Sequence, residues 1–71
     1  GGKLAIAWKE FDGERTQLQA MRSDDGGKTF RTQPLGATDG ASDQPRVIRR
    51  GEALFAFWRT EKEGFRLFPL P

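Results

Sequence analysis

The chain repeats one pattern at an interval of fifty residues. Gly1, Leu4, Trp8 and Lys9 recur without a gap as Gly51, Leu54, Trp58 and Arg59, giving Gly-x-x-Leu-x-x-x-Trp-[Lys/Arg] twice in 71 residues. Further on, Gly13 meets Gly64 with one residue of slippage. The two segments that carry the pattern, LAIAWKEF (4–11) and ALFAFWRT (53–60), are apolar on alternate positions in both phases. Successive side chains of a strand point to opposite faces. In the first segment Leu4, Ile6 and Trp8 therefore share one face, and Ala5, Ala7 and Phe11 the other. A strand apolar on both faces is expected to lie in an interior, covered on both sides.

The rest of the chain alternates short strand-like runs with turn signals. Asp12-Gly13 is a hairpin signal, and RTQLQAMR (15–22) makes the second strand. Residues 28–33 read as a third. PLGATDGASDQP (34–45) is a loop by its Gly, Asp, Ser and Pro content. RVIRR (46–50) is a short strand with Gly51-Glu52 as its turn. Glu61 to Gly64 turn again, and FRLF (65–68) is a last strand before Pro69. No segment has helical spacing. The expectation is an all-β fold of antiparallel meander sheets, with one unit in residues 1–35, a loop over 36–45 and a second unit in 46–71. A period of about 40–50 residues with about four strands per unit points to β-propeller blades.

Composition narrows the chemistry. A chain this short buries only about 60% of its unfolded surface, so its core is marginal. It has no cysteine, which removes disulfide staples and Cys-based metal sites, and no histidine, the usual zinc ligand and neutral-pH base. Net charge is +2, and Lys and Arg are spread among the acidic residues instead of forming a basic stripe interleaved with aromatics. Arg46, Arg49 and Arg50 are the nearest approach to one, and a solvated strand edge accounts for them. Nucleic acid is not an expected partner. No apolar run has the length of a membrane span, so a membrane is not expected either. The first residue is Gly1, not methionine, which suggests a processed or excised piece.

SDDGGKTF (23–30) ends in the Gly-Lys-Thr of a nucleotide-binding P-loop. That loop needs a further glycine five residues before the Gly-Lys-Thr glycine, and Arg22 stands there. It also needs a helix to follow, and Phe30-Arg31-Thr32-Gln33-Pro34 does not supply one. The stretch instead resembles an Asp-box, the turn signature of bacterial neuraminidase repeats, Ser/Thr-x-Asp-x-Gly-x-Thr-Trp/Phe. Ser23, Asp25, Gly27, Thr29 and Phe30 fill its defined positions. GASDQPRV followed by GEALFAFWR also resembles the first two strands of a blade in sialidase-like propellers, so the resemblance covers nearly the whole chain.

The physics of a closed turn fits these residues. Asp25, helped by Ser23, is expected to bond backbone N–H groups a few residues on. Gly27 is expected to take a positive φ. Thr29 is expected to re-enter the strand, and Phe30 to cover the turn from beneath. Asp24 and Asp25 as calcium ligands would need six or more oxygens, and no such series accompanies them. No metal and no cofactor is expected.

The resemblance also implies an orientation. In the family the Asp-box joins the third and fourth strands of a blade, away from the active site. Residues 4–11, 15–22 and 28–33 then become the second, third and outermost strands of one blade. Residues 46–50, 53–60 and 65–68 become the innermost, second and third strands of the next. The loop 36–45 falls on the substrate face, which makes Asp39, Ser42, Asp43, Gln44 and Arg46 the candidate ligand contacts. Arg46 suits a carboxylate held bidentately. The plainer alternative is that Asp43 caps the loop and Arg46 bonds its neighbours. Sialidases use a tyrosine nucleophile, an arginine cluster and an Arg-Ile-Pro segment. This chain has no tyrosine and no Arg-Ile-Pro, so the resemblance implies a piece that is not catalytic by itself, whether or not its parent is a glycoside hydrolase.

Expected partners are the remaining blades or copies of the chain paired through edge strands, together with carbohydrate. Two other readings stay open at this point. One is a self-associating β module without glycan or enzymatic role. The other is a small nucleic-acid-binding barrel, which the charge supports weakly.

Overall fold

The computed structural model describes residues 3–70. Six strands form two three-stranded antiparallel meanders. The first sheet is β1 (Leu4–Phe11), β2 (Thr16–Ser23) and β3 (Arg31–Thr38); the second is β4 (Arg46–Arg50), β5 (Ala53–Thr60) and β6 (Gly64–Leu70). There is no helix among the described residues, and Lys28 and Thr29 lie in a turn. Gly1, the first member of the repeated pattern, lies outside the described residues.

Side chains fix most of the reversals. Asp12 Oδ1 accepts the N–H groups of Glu14 and Arg15 at 2.9 and 2.8 Å, and Gly13 carries φ 101°. The N–H of Arg15, then the Gln17 amide and the N–H of Glu14, bring the Asp12 pKa down to about 2. Between β4 and β5 the two-residue loop puts its positive φ, 62°, on Gly51, the first central position, as II′ turns do. At the β5–β6 hairpin Thr60 Oγ1 donates to the Glu63 carboxylate at 2.8 Å and accepts the Glu63 N–H at 3.2 Å.

Three expectations are corrected. The third strand begins at Arg31, not at residue 28, and runs to Thr38, so Pro34 to Thr38 are strand and not loop. β3 can hold Pro34 because it is an outer strand of its sheet, where a missing N–H costs no ladder bond. The register also slips there: Leu18 faces Gly36 and Gln19 faces Pro34, leaving Leu35 as an extra residue. That bulge turns Leu35 toward the core. The last strand likewise continues through Pro69 to Leu70, on the outer position of its sheet. Finally, β1 is not covered on both sides. It is an outer strand, and Leu4 and Ile6 are 47% and 52% exposed. The second sheet packs on the Ala5–Ala7 side instead.

The two sheets stack face to face. Ala20 on β2 meets Leu54 and Ala56 on β5 and Leu70 on β6, with Ala5, Ala7, Leu35 and Phe68 around them. Polar side chains cross the same seam. Lys9 Nζ donates to the Ser42 carbonyl at 2.8 Å, Arg66 donates to the Ala37 carbonyl at 3.1 Å, and Arg22 donates to the Leu70 carbonyl. The small residues on β1 and β2 let the backbones approach closely. Gly36 is the tightest point: a Cβ there would fall 3.0 Å from Phe68 Cζ and 3.3 Å from Arg66 Nη1. Gly36→Val is therefore expected to cost about 1–3 kcal/mol through overpacking. Urea denaturation would register this as a lower midpoint with an unchanged slope. An unchanged midpoint would show that the seam has slack.

Candidate functional site

The turn 23–30 closes on its own side chains. Ser23, buried at the end of β2, donates to Asp25 Oδ1 at 2.7 Å and accepts the Gly27 N–H at 2.9 Å. Asp25 Oδ1 accepts the N–H groups of Lys28 and Thr29 at 3.1 and 3.0 Å, while Oδ2 accepts the Thr29 hydroxyl at 2.6 Å. The Thr29 hydroxyl and N–H, then Ser23, hold the Asp25 carboxyl far below its ordinary range. Gly26 and Gly27 carry φ of 76° and 98°, values at which a Cβ is strained. Phe30 reaches back so that its ring edge lies 3.8 Å from where a Gly27 Cβ would be, yet it is 43% exposed. Thr29 does not re-enter a strand, because its hydroxyl is committed to Asp25 and β3 starts two residues later. With four donors of the turn converging on Asp25, the turn is held closed by its own side chains. Asp24 pairs outward with Arg22 and Arg31 at 3.1 and 3.0 Å. Among the described residues no group of three acidic side chains converges as a metal site.

The segment 39–45 lies at the opposite end of the strands. Its backbone pairs with the end of β5: Asp43 N–H donates to the Arg59 carbonyl and Glu61 N–H to the Ala41 carbonyl, both at 2.9 Å. The buried Trp58 indole donates to the Asp43 carbonyl at 2.9 Å, pinning the segment to the core. Beside it, Glu63 is held by the Thr60 and Thr38 hydroxyls, which lower its pKa, with Arg66 and Lys62 adding to the effect.

An open groove of roughly 890 Å³ runs from this segment along β4, lined by Asp43, Gln44, Arg46, Val47, Ile48, Arg49, Phe57 and Arg59. Of the five candidates read from the sequence, Asp43, Gln44 and Arg46 line it. Asp39 does not; it pairs with Arg15 at 2.8 Å and Lys62 at 4.0 Å. Ser42 is occupied too, its carbonyl and hydroxyl accepting Lys9 at 2.8 and 3.2 Å. The structure adds Val47, Ile48, Arg49, Phe57 and Arg59. Register is what brings in Ile48 and Phe57: Phe57 stands directly opposite Arg46 and Phe55 opposite Ile48, so period-two alternation along β5 and a paired β4 are the signal that would have found those two.

Electrostatically the groove is cationic. Arg59 contacts Asp43 at 3.4 Å, an exposed pair of small worth, and lies 6.0 Å over the Phe65 ring. Among the described residues Arg46 and Arg49 make no salt bridge. Guanidinium groups beside an apolar floor can hold an anion and let a ring stack. Comparison with known protein families, curated proteins and solved structures gives no match.

Proposed function

We propose that the chain is a structural and ligand-binding piece of an Asp-box, sialidase-like propeller, and that it takes an acidic carbohydrate without cleaving it. The reading rests on one observation: Arg46, Arg59 and Phe57 line one groove in which, among the described residues, Asp43 is the only lining carboxylate. Glycoside cleavage by the general route needs two carboxyls at a set separation. One carboxylate, already against an arginine, supports binding instead. In this reading Arg46 forks onto a sugar carboxylate, Phe57 stacks on the apolar face of the ring, and Gln44 bonds hydroxyls. The turn 23–30 is the Asp-box knuckle, and further blades or copies complete the ring.

The test is NMR titration with sialylated and neutral oligosaccharides. Sialylated ligands are expected to shift the amides of residues 43–49 and 57–59, and neutral ones to leave them in place. Arg46→Ala is expected to weaken binding about 10- to 100-fold, as loss of a charge-assisted fork does. No shift with any acidic glycan, or cleavage of one by the chain, would refute the proposal.

A further inference from the structure

The two sheets stack head to tail, and the same contact is left open at both outer faces. Register makes the comparison residue by residue. Leu18 and Ala20 face Lys9 and Ala7 on the first sheet, as Phe65 and Leu67 face Arg59 and Phe57 on the second. With the fifty-residue shift of Leu4 to Leu54 and Trp8 to Trp58, β1 and β2 therefore match β5 and β6. The matched residues differ in what covers them. Leu54, Ala56 and Trp58 are 6%, 0% and 0% exposed because the first sheet lies over them, whereas Leu4 and Ile6, in the places of Leu54 and Ala56, are 47% and 52% exposed. On the receiving side Leu18 and Ala20 are 0% and 1% exposed, and Phe65 and Leu67, in their places, are 70% and 49% exposed.

We infer that a second copy of this chain docks its Leu4–Ile6–Trp8 face on the Phe57–Phe65–Leu67 face of the first, repeating the internal sheet contact between molecules. The internal seam supplies the pattern, since a face bearing Leu-x-x-x-Trp is seated on an apolar hairpin of the matching kind within the chain itself. Charge agrees. Glu10 takes the place of Thr60, and Arg59 the place of Lys9, so opposite charges meet at one end of the new seam. Each copy offers one face of each kind. The contact is therefore heterologous, and it propagates as a closed ring where the rotation allows and as an open ladder otherwise. It does not depend on the groove taking a glycan, and it competes with one, because Phe57 and Arg59 belong to both surfaces.

Light scattering and sedimentation of the full chain over a wide concentration range test it. Mass is expected to rise above the monomer's 8.0 kDa with concentration. Ile6→Asp and Leu67→Asp each spoil one face at an exposed site, and circular dichroism would verify that both stay folded. Each variant alone is expected to be monomeric. Mixed one to one, they are expected to form a heterodimer of twice the monomer mass that grows no further, because the intact face of each meets that of the other. A wild type that stays monomeric throughout would overturn the inference. So would either variant dimerising alone, which means like faces pair, or a mixture that does not associate.

Discussion

Replacing Trp58 by alanine is expected to leave the chain largely unfolded at 37 °C. The side chain is fully buried between the sheets, and aromatic-to-alanine changes in cores cost about 3–5 kcal/mol. A domain of this length has a total stability of roughly 4–10 kcal/mol at about 0.05–0.15 per residue, so one substitution removes much of it. The loss extends beyond the cavity. The indole N–H holds the Asp43 carbonyl, and the ring carries the Arg66 guanidinium at 5.0 Å. Without it the segment 39–45 loses its anchor to the core. Trp58→Phe separates these effects in part, since it keeps an aromatic ring in the core and gives up the hydrogen bond and some ring volume, for about 1–3 kcal/mol. Trp8→Ala is the internal control. Trp8 occupies the matched place but is only half-buried, so its loss in dilute protein is expected to cost under about 1.5 kcal/mol. Urea denaturation followed by far-UV circular dichroism measures all three. Equal losses for Trp8→Ala and Trp58→Ala in a strict monomer would contradict the one-sided covering of the two faces.

That contrast marks where the sequence is legible. Period-two alternation identifies ALFAFWRT as a strand, and Leu54, Ala56, Trp58 and Thr60, all on one face, are all buried. The same alternation in LAIAWKEF promises a covered face that the described chain leaves open. A pattern states that a face is apolar; it cannot state whether the cover is part of the same chain. Pro34 and Gly36 mislead for a related reason. Each is a loop signal in isolation, but an outer strand tolerates the missing N–H, and the close approach of Phe68 needs the missing Cβ. At the groove, loop composition points to the segment 39–45 but not to which side chains are free. Asp39 and Ser42 are spent on Arg15 and Lys9, partners from a distant hairpin. Phe57 escapes notice because only cross-strand register sets it beside Arg46, and Arg59 because only the backbone bond from Asp43 brings it to the segment.

Exchanging Asp25 for asparagine is expected to weaken the fold near neutral pH and to blunt its sensitivity to acid. The carboxylate accepts from two N–H groups and two hydroxyls, and an amide offers one acceptor atom where the carboxylate offers two. A melting temperature lower by on the order of 5–10 °C at pH 7 is the expected reading for a domain of this size. The pH dependence follows from the direction of the shift. The Asp25 pKa is lowered on folding from an ordinary 3.8. Its contribution is therefore complete above that value and is lost as pH falls below it toward the folded pKa. Asp12, lowered from 3.8 to about 2, and Glu63, lowered from 4.5, act with the same sign. Wild type should lose stability progressively from about pH 4.5 downward, and the gap between it and Asp25→Asn should narrow over that interval. Asp12→Asn should show its own gap from wild type narrowing in the same direction but more weakly, because the Asp12 shift is the smaller. A gap that held constant from pH 7 to pH 2 in thermal melts would mean the turn is not closed by the charged form of Asp25, and the knuckle joining β2 to β3 would then have to rest on the Ser23 hydroxyl and the glycines.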